Sequence, residues 1–150
     1  MNKNIIKKIQ KQVIQLLPVG QQNQPGILLA DSCSEVSRLV AGWIKILDKS
    51  NRILIMKGIN VRGTSQAHDI LAVITDNNQV YIIDPTIWQF FPQVKSILVF
   101  ISDNINIALD KIKSMYGGQW FKSEEFIQID KNEEKKYLDI ISHNIRENLR

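Results

Sequence analysis

The sequence predicts an α+β fold in which N-terminal helices precede a mostly antiparallel sheet and further helices close the chain. Apolar residues recur every three or four positions near both ends, a spacing typical of amphipathic helices. The middle of the chain instead carries short β-branched runs separated by turn residues, which indicates strands. The 150 residues are 44% apolar and 23% charged, a balance that suits one globular domain, residues 1–150.

The N-terminal part predicts two helices joined by a loop. Residues 3–17 form the first, and Pro18 and Gly20 end it. Residues 18–31, rich in Gln, Gly and Pro, predict a loop, and residues 33–48 form the second helix. The apolar residues that we expect to face the core are Ile5, Ile6, Ile9, Val13, Leu16 and Leu17 in the first helix and Val36, Leu39, Val40, Trp43, Ile44 and Leu47 in the second.

Four strand signals follow these helices. They are "RILIM" (52–56), "AHDILAVIT" (67–75), "VYIID" (80–84) and "SILVFIS" (96–102). Gly58 and the "NVRGTSQ" that follows predict an irregular connection or a bulged strand. The "DNN" at 76–78 is a strong turn signal, and it suits a three-residue hairpin loop that ends in a left-handed residue.

The C-terminal part predicts a helix, a short strand and a closing helix. Residues 104–116 are helical and end at the "GG" of 117–118. The "FIQI" at 126–129 predicts a last strand, and residues 132–148 predict the final helix. The residues that we expect to face inward are Ile105, Ala108, Leu109, Ile112 and Met115 in the earlier helix and Leu138, Ile141 and Ile145 in the later one.

Charge and hydropathy argue against several classes of function. The formal net charge is +4, and the basic residues are spread along the chain. The nearest thing to a basic patch lies in the first helix, where we expect a solvated face and no nucleic-acid site: Lys3, Lys7, Lys8 and Lys11. No apolar run approaches the roughly 20 residues of a membrane span, and the N-terminus lacks the compact apolar stretch of a signal peptide. We therefore expect no membrane span, no nucleic-acid partner and a cytoplasmic location.

The only cysteine lies where a helix should begin. Ser32 and Glu35 have the spacing of a capping box, which would make Ser32 the N-cap and Cys33 the first helical residue. A thiol there lies beside unpaired backbone N–H groups and the positive end of the helix dipole, and both favour the thiolate. Cys33 is therefore a candidate nucleophile; the alternative is a small buried residue.

The chain has two histidines, and one of them starts a strand. His143 lies within a polar stretch of the last helix, where we expect it on the surface. His68 begins the strand at 67–75, and Asp84 ends the next strand, just before Pro85. With a three-residue loop, His68 and Asp84 share one face of the sheet as diagonal neighbours; a two-residue loop would put them on opposite faces. Other acidic residues fit less well, because they point away, lie in the turn or precede the thiol: Asp69, Asp76 and Asp31.

The order cysteine, histidine, aspartate resembles that of the papain-like and transglutaminase-like superfamily, in particular its papain-fold toxin domains, which include a glutamine deamidase domain. The resemblance rests on "DSCSEVSRLVAGWI", "AHDILAVITDNNQVYIIDPT" and the "DPTIWQFF" continuation, and it covers residues 31–91. It implies a papain-like catalytic domain in which Cys33 is the nucleophile, His68 is the general base and acid, and Asp84 holds the imidazole tautomer. It implies no metal and no cofactor.

The resemblance also implies an oxyanion site and a cleft. The Cys33 N–H would be one oxyanion donor, and family members commonly use an upstream glutamine as another. The candidates for that glutamine are Gln21, Gln22 and Gln24. Trp88 and Phe90, which follow the aspartate, are expected to wall the cleft.

The expected reaction is acyl transfer on a protein substrate, most simply deamidation of a glutamine side chain. A cysteine protease or transglutaminase of the same fold remains an alternative, although the segment before Cys33 lacks the glycine-rich approach of papain proteases. A non-enzymatic partner-binding domain is a further alternative. As a toxin or effector, the domain would act in a target-cell cytosol, and its producer would need an inhibitor or immunity protein.

Overall fold

The computed structural model describes residues 1–150 and contains five helices and one five-stranded sheet. The helices are α1 (Lys3–Ile14), α2 (Pro25–Leu28), α3 (Cys33–Leu47), α4 (Ile105–Tyr116) and α5 (Lys131–Asn148). The strands are β1 (Arg52–Ile59), β2 (Ala67–Ile74), β3 (Val80–Ile83), β4 (Leu98–Ser102) and β5 (Gln119–Phe126). Two 3₁₀ turns lie at Val61–Gly63 and Ile87–Gln89. The predicted α+β class is confirmed.

The sheet places β2 at its centre. Its strand order is β4-β3-β2-β1-β5, and every neighbouring pair is antiparallel. β2 pairs along its whole length with β1. The backbone at the start of β2 is therefore held by the hydrogen bonds of the sheet.

Two apolar cores form because successive strand residues point to opposite faces of the sheet. On one face α1, α3 and α5 cover a larger core, whose strand members are Ile53, Ile55, Leu71, Val73 and Ile83. On the other face α4 covers a smaller core, whose strand members are Leu54, Met56, Ile70, Ala72, Val80 and Ile82. Complete burial of one large aliphatic side chain contributes about 1.5–3 kcal/mol, so both cores are substantial.

The β2–β3 hairpin has the predicted three-residue loop. The Thr75 N–H donates to the Gln79 oxygen at 2.9 Å, and the Asn78 N–H donates back to the Thr75 oxygen at 2.9 Å. Asn78 has a φ of +64°, the left-handed conformation that asparagine tolerates. The register pairs Ile74 with Val80 and continues inward, so even-numbered residues of both strands share the face that α4 covers.

The last strand was predicted in the wrong place. The "FIQI" strand at 126–129 is not formed beyond Phe126; instead, β5 begins at Gln119. As an edge strand, β5 buries only Trp120 and Phe126, so its polar sequence shows no alternation. Ile127, expected in a strand, is 67% exposed.

Several helix details also differ from expectation. α1 ends at Ile14 and continues only as turns, and the predicted loop at 18–31 contains the short α2. Met115 is exposed, whereas Tyr116 is buried, because the row that faces the sheet recurs every four residues through Ala108, Ile112 and Tyr116. Leu47, the last residue of α3, is also exposed.

The "NVRGTSQ" at 60–66 forms the predicted irregular connection, with a 3₁₀ turn at Val61–Gly63, whereas Gly58 itself lies within a strand. β1 continues through Gly58 to Ile59, and the bulge lies between Ile55 and Met56, opposite β5. The four lysines of α1 are exposed, as expected. None of the helices combines the length and the apolar character needed to cross a membrane.

Candidate active site

Cys33 is the first residue of α3, and its side chain is half-buried. Ser32 is the N-cap residue, as predicted, but the predicted capping box is wrong, because no side chain caps this helix. The Ser32 hydroxyl instead accepts a hydrogen bond from Asn144 Nδ2 at 3.0 Å. The hydroxyl is therefore hydrogen-bonded to α5, and no side chain accepts from the N–H groups in the first turn of α3.

The backbone N–H of Cys33 has no backbone acceptor. The first hydrogen bond of α3 runs from the Val36 N–H to the Ser32 oxygen at 2.9 Å. The N–H groups of the first turn are unpaired because an α-helix has no carbonyl one turn before its start, and they carry the positive end of the helix dipole. This end of α3 can therefore donate to a negatively charged oxygen or sulfur beside Cys33.

Two asparagines of α5 hold the segment that leads into Cys33. Asn144 Nδ2 also donates to the Asp31 oxygen at 3.3 Å, and Asn148 Nδ2 donates to the Ala30 oxygen at 3.1 Å. Asp31 has a φ of +69°, a left-handed conformation that is uncommon outside glycine. The sharp turn before the thiol is thus fixed by a helix more than 100 residues later in the chain.

His68 and Asp84 form a fully buried hydrogen-bonded pair. His68 Nε2 lies 2.8 Å from Asp84 Oδ2, and both side chains have no solvent exposure. The second carboxylate oxygen, Oδ1, accepts the Thr86 N–H at 3.1 Å. The predicted shared face of His68 and Asp84 is therefore present.

The imidazole is also influenced by Cys33. Its Nδ1 is buried without a hydrogen-bond partner, and the Cys33 thiol contributes to the electrostatics of the ring. Burial lowers the pKa of His68, but the charge and hydrogen bond of Asp84, together with Cys33, outweigh burial and raise that pKa to about 10. The ring therefore carries a proton at neutral pH, and Cys33 faces an imidazolium.

Three aromatic rings enclose the imidazole. Phe90 meets it edge-on at 4.8 Å between centroids, Tyr116 stacks at 5.9 Å, and Trp120 lies edge-on at 6.4 Å. Trp120 can approach because its β1 neighbour is Gly58, where a Cβ atom would lie only 2.4 Å from the indole. These rings exclude water from the ion pair and strengthen its electrostatics.

Tyr116 reaches the same carboxylate as His68. Its hydroxyl donates to Asp84 Oδ2 at 2.6 Å. Burial and the negative charge of Asp84 raise the pKa of the phenol far above its usual value, so it stays protonated. Neither Tyr116 nor Trp120 was predicted as part of the site. The four-residue spacing of buried residues places Tyr116 on the inner face of α4. No short-range pattern in the sequence indicates that Tyr116 contacts Asp84.

The opposite face of β2 carries a separate ion-pair cluster. Asp69 points away from His68, as predicted, and Arg38 Nη1 donates to its Oδ2 at 3.1 Å. The Ser37 hydroxyl donates to the Asp69 backbone oxygen at 3.1 Å. Arg38 and Ser37 therefore fasten the first turns of α3 to the residue that follows His68.

The remaining predicted site residues lie at the surface or in a nearby groove. Asp31, Asp76 and His143 are exposed. Trp88 lines a groove of about 350 Å³ together with Gln24, Gln89 and residues of α2. The three candidate oxyanion glutamines make no hydrogen bond to the thiol, imidazole or carboxylate: Gln21, Gln22 and Gln24. Gln24 alone of these three lines the groove.

No group of three or more histidine, cysteine, aspartate or glutamate side chains is arranged to hold a metal ion. No protein-family model, no curated protein and no solved structure matches this chain significantly.

Proposed function

We propose that this chain is a cysteine hydrolase that deamidates a glutamine side chain on a protein substrate, with Cys33, His68 and Asp84 as its catalytic residues. One observation carries the proposal: a buried imidazole is hydrogen-bonded to a carboxylate through Nε2 and lies beside the chain's only thiol. A nucleophile, a base and an orienting carboxylate in this arrangement are the requirements of acyl-transfer catalysis.

The first half-reaction forms a thioester. The Cys33 thiolate attacks the carboxamide carbon, and the carbonyl oxygen becomes an oxyanion. The Cys33 N–H donates to that oxyanion, an interaction typically worth about 2.7–4 kcal/mol. The His68 imidazolium gives its proton to the departing nitrogen, and ammonia leaves. His68 is then neutral, and Cys33 carries the acyl group.

The second half-reaction returns the enzyme to its starting state. Neutral His68 removes a proton from water, and the resulting hydroxide attacks the thioester carbon. The thiolate leaves, glutamate is released, and His68 is again an imidazolium. Asp84 keeps the same ring nitrogen protonated throughout and stabilises the positive charge that the imidazole carries before the first half-reaction and regains at the end of the second.

The proposed partners follow from this chemistry. The substrate presents a glutamine on an accessible segment, because the thiol is half-buried at the tip of a helix. An effector of this kind acts in the cytosol of a target cell, and its producer protects itself with an inhibitor protein. Transamidation and peptide cleavage use the same residues and differ only in the group that replaces water or leaves.

The test compares the wild-type chain with Cys33→Ala on a blocked glutaminyl-glycine dipeptide and on glutamine-bearing proteins, using mass spectrometry. The expected result is conversion of a carboxamide to a carboxylate and release of ammonia, both absent with Cys33→Ala. Backbone cleavage would identify a protease, and incorporation of an added amine would identify a transglutaminase. Activity that survives in Cys33→Ala would refute the proposal.

A further inference from the structure

Asp84 Oδ2 receives two buried side-chain groups. His68 Nε2 lies 2.8 Å from this oxygen, and the Tyr116 hydroxyl donates to it at 2.6 Å. Both residues and the carboxylate are completely buried, so no solvent competes for the oxygen. The phenol belongs to α4, which packs on the same face of the sheet as His68 and Asp84.

We propose that Tyr116 is a positioning residue of this site, whose phenol fixes Asp84 and thereby sets how strongly and in which orientation the carboxylate holds the His68 imidazole. The proposal rests on the proposed function for its catalytic consequence. Its structural part, the control of His68 by Tyr116, can be measured without any activity.

The arrangement of the carboxylate explains why the phenol matters. Thr86 N–H holds Oδ1 at 3.1 Å, and the phenol holds Oδ2. With both oxygens bound to groups other than the histidine, the carboxylate plane is fixed before His68 contributes. Removing the phenol leaves one anchor, so the carboxylate can rotate and the ring can turn with it.

The phenol also moderates the charge of Asp84. A hydrogen bond to a carboxylate stabilises its charged form and reduces its attraction for a second donor. The ionisable groups that face the imidazole are Asp84 and Cys33, and the other rings around it, Phe90 and Trp120, carry no charge. Loss of the phenol should therefore strengthen the pull of Asp84 on the imidazolium proton.

The test is Tyr116→Phe, which removes one oxygen atom and keeps the ring. We expect the titration of His68, followed by NMR of its ring, to move upward by about half a unit to one unit. His143 is the only other histidine and is exposed, so it provides an unshifted reference in the same sample. Where deamidation is measurable, we expect kcat to fall about tenfold with KM little changed, because the ring is misoriented.

The matched control is Tyr81→Phe. Tyr81 is half-buried, and its hydroxyl makes only long contacts of 3.4 Å with Met1 and Gln79, outside the site. This variant should leave the His68 titration unchanged. A Tyr116→Phe protein that loses thermal stability but titrates at His68 as the wild type does would overturn the proposal and leave Tyr116 as core packing alone.

A second variant covers the case in which Tyr116→Phe does not fold. The chain has three tyrosines, so 3-fluorotyrosine incorporated into a Tyr81→Phe/Tyr137→Phe protein labels Tyr116 alone. The fluorinated phenol is a stronger donor of nearly the same shape, and the His68 titration should move downward. An upward shift or no shift would contradict the proposal. A shifted His68 titration without deamidation by the wild type would refute the proposed function and leave the positioning role intact.

Discussion

At the scale of single residues, Asp84 organises the candidate site. Its two oxygens contact three elements: β2 through His68, its own turn through Thr86, and α4 through Tyr116. An ionised carboxylate without such partners would be costly in a dry core, so this hydrogen-bond pattern is what allows a charge there. The protonated His68 that results is the group expected to activate Cys33.

The first residue-scale prediction concerns the reactivity of Cys33. An imidazolium beside the thiol stabilises negative charge on the sulfur, so iodoacetamide should label the folded wild type faster than a variant that lacks this ring. His68→Gln should slow labelling at pH 6–7 by about tenfold or more. The rate is followed by intact-mass analysis.

The control for this prediction is His143→Gln, which alters an exposed histidine and should label as the wild type does. Equal rates in His68→Gln and wild type would contradict it. So would labelling that needs denaturant, since the thiol would then be a structural residue.

The second residue-scale prediction concerns Gly58. A Cβ there would lie 2.4–2.7 Å from three atoms of the Trp120 ring, so Gly58→Ala must push the indole aside. We expect a loss of about 1–3 kcal/mol in the free energy of unfolding, measured by urea titration. Combining Gly58→Ala with Trp120→Leu removes the clash, so the double variant should be more stable than the sum of the single effects. Simple additivity would show that the clash is absent.

The sequence allowed part of this site to be predicted. A three-residue loop fixes which residues of the two strands point to the same face of the sheet, and "DNN" favours that loop. His68 and Asp84 could therefore be placed on one face. Tyr116 could not be linked to Asp84, because that contact depends on how α4 lies across the sheet. The capping box failed for a similar reason: Asn144, 112 residues away, takes the Ser32 hydroxyl.

At the scale of elements, α5 braces the start of α3. Asn144 and Asn148 donate to the backbone oxygens of Asp31, Ala30 and Leu28, and a capping box at Asp130 and Glu133 fixes the other end of α5. A helix that forms no hydrogen bond with Cys33, His68 or Asp84 therefore holds the turn that leads into the thiol.

This contact predicts the effect of Asn144→Ala/Asn148→Ala. Each lost hydrogen bond should cost about 0.5–1.5 kcal/mol, and the segment 28–33 should exchange its amide hydrogens faster. The rate at which iodoacetamide labels Cys33 should also differ less between proteins with and without His68. The measurement is hydrogen exchange by mass spectrometry. Asn132→Ala, an exposed change on the same helix, should alter none of these quantities, and unchanged exchange at 28–33 in the double variant would show that α5 does not hold the turn.

Elements with a strong local signal were predicted well, and those set by tertiary contacts were not. The β2–β3 hairpin follows from β-branched strands and a left-handed Asn78. β5 is polar because one side is an open sheet edge, and it becomes a strand only by pairing with β1. The predicted "FIQI" strand fails because the chain leaves the sheet at Phe126.

At the scale of the whole molecule, two cores are joined through one polar centre. The larger core lies under α3, the helix that begins at Cys33, and the smaller core holds Tyr116. Between the two cores, β2 carries His68, and Asp84 directly follows β3. Arg38 and Ser37 fasten α3 to β2 on one side of the sheet, and the Tyr116 hydroxyl fastens α4 to Asp84 on the other. The stability of the whole fold should therefore respond to the protonation of this centre.

This coupling predicts how stability depends on pH. The pKa of His68 is about 10 in the folded protein and near 6.5 when unfolded, so the folded state holds its proton more tightly. The resulting stabilisation is complete below pH 6.5 and is lost as pH rises towards 10. Above pH 10 the loss should continue, because the Tyr116 phenol ionises in the unfolded chain but is kept neutral by burial in the fold.

The measurement is urea unfolding at several pH values between 6 and 10. The free energy of unfolding should decline steadily for the wild type and for His143→Gln, whose altered residue is exposed. The decline between 6.5 and 10 should be much shallower for His68→Gln, which cannot take up the proton. A wild-type stability that stays level over this range, or a decline equally steep in His68→Gln, would mean that His68 is neutral in the fold. In that case no imidazolium would face Cys33, and the starting state of the proposed mechanism would have to be revised.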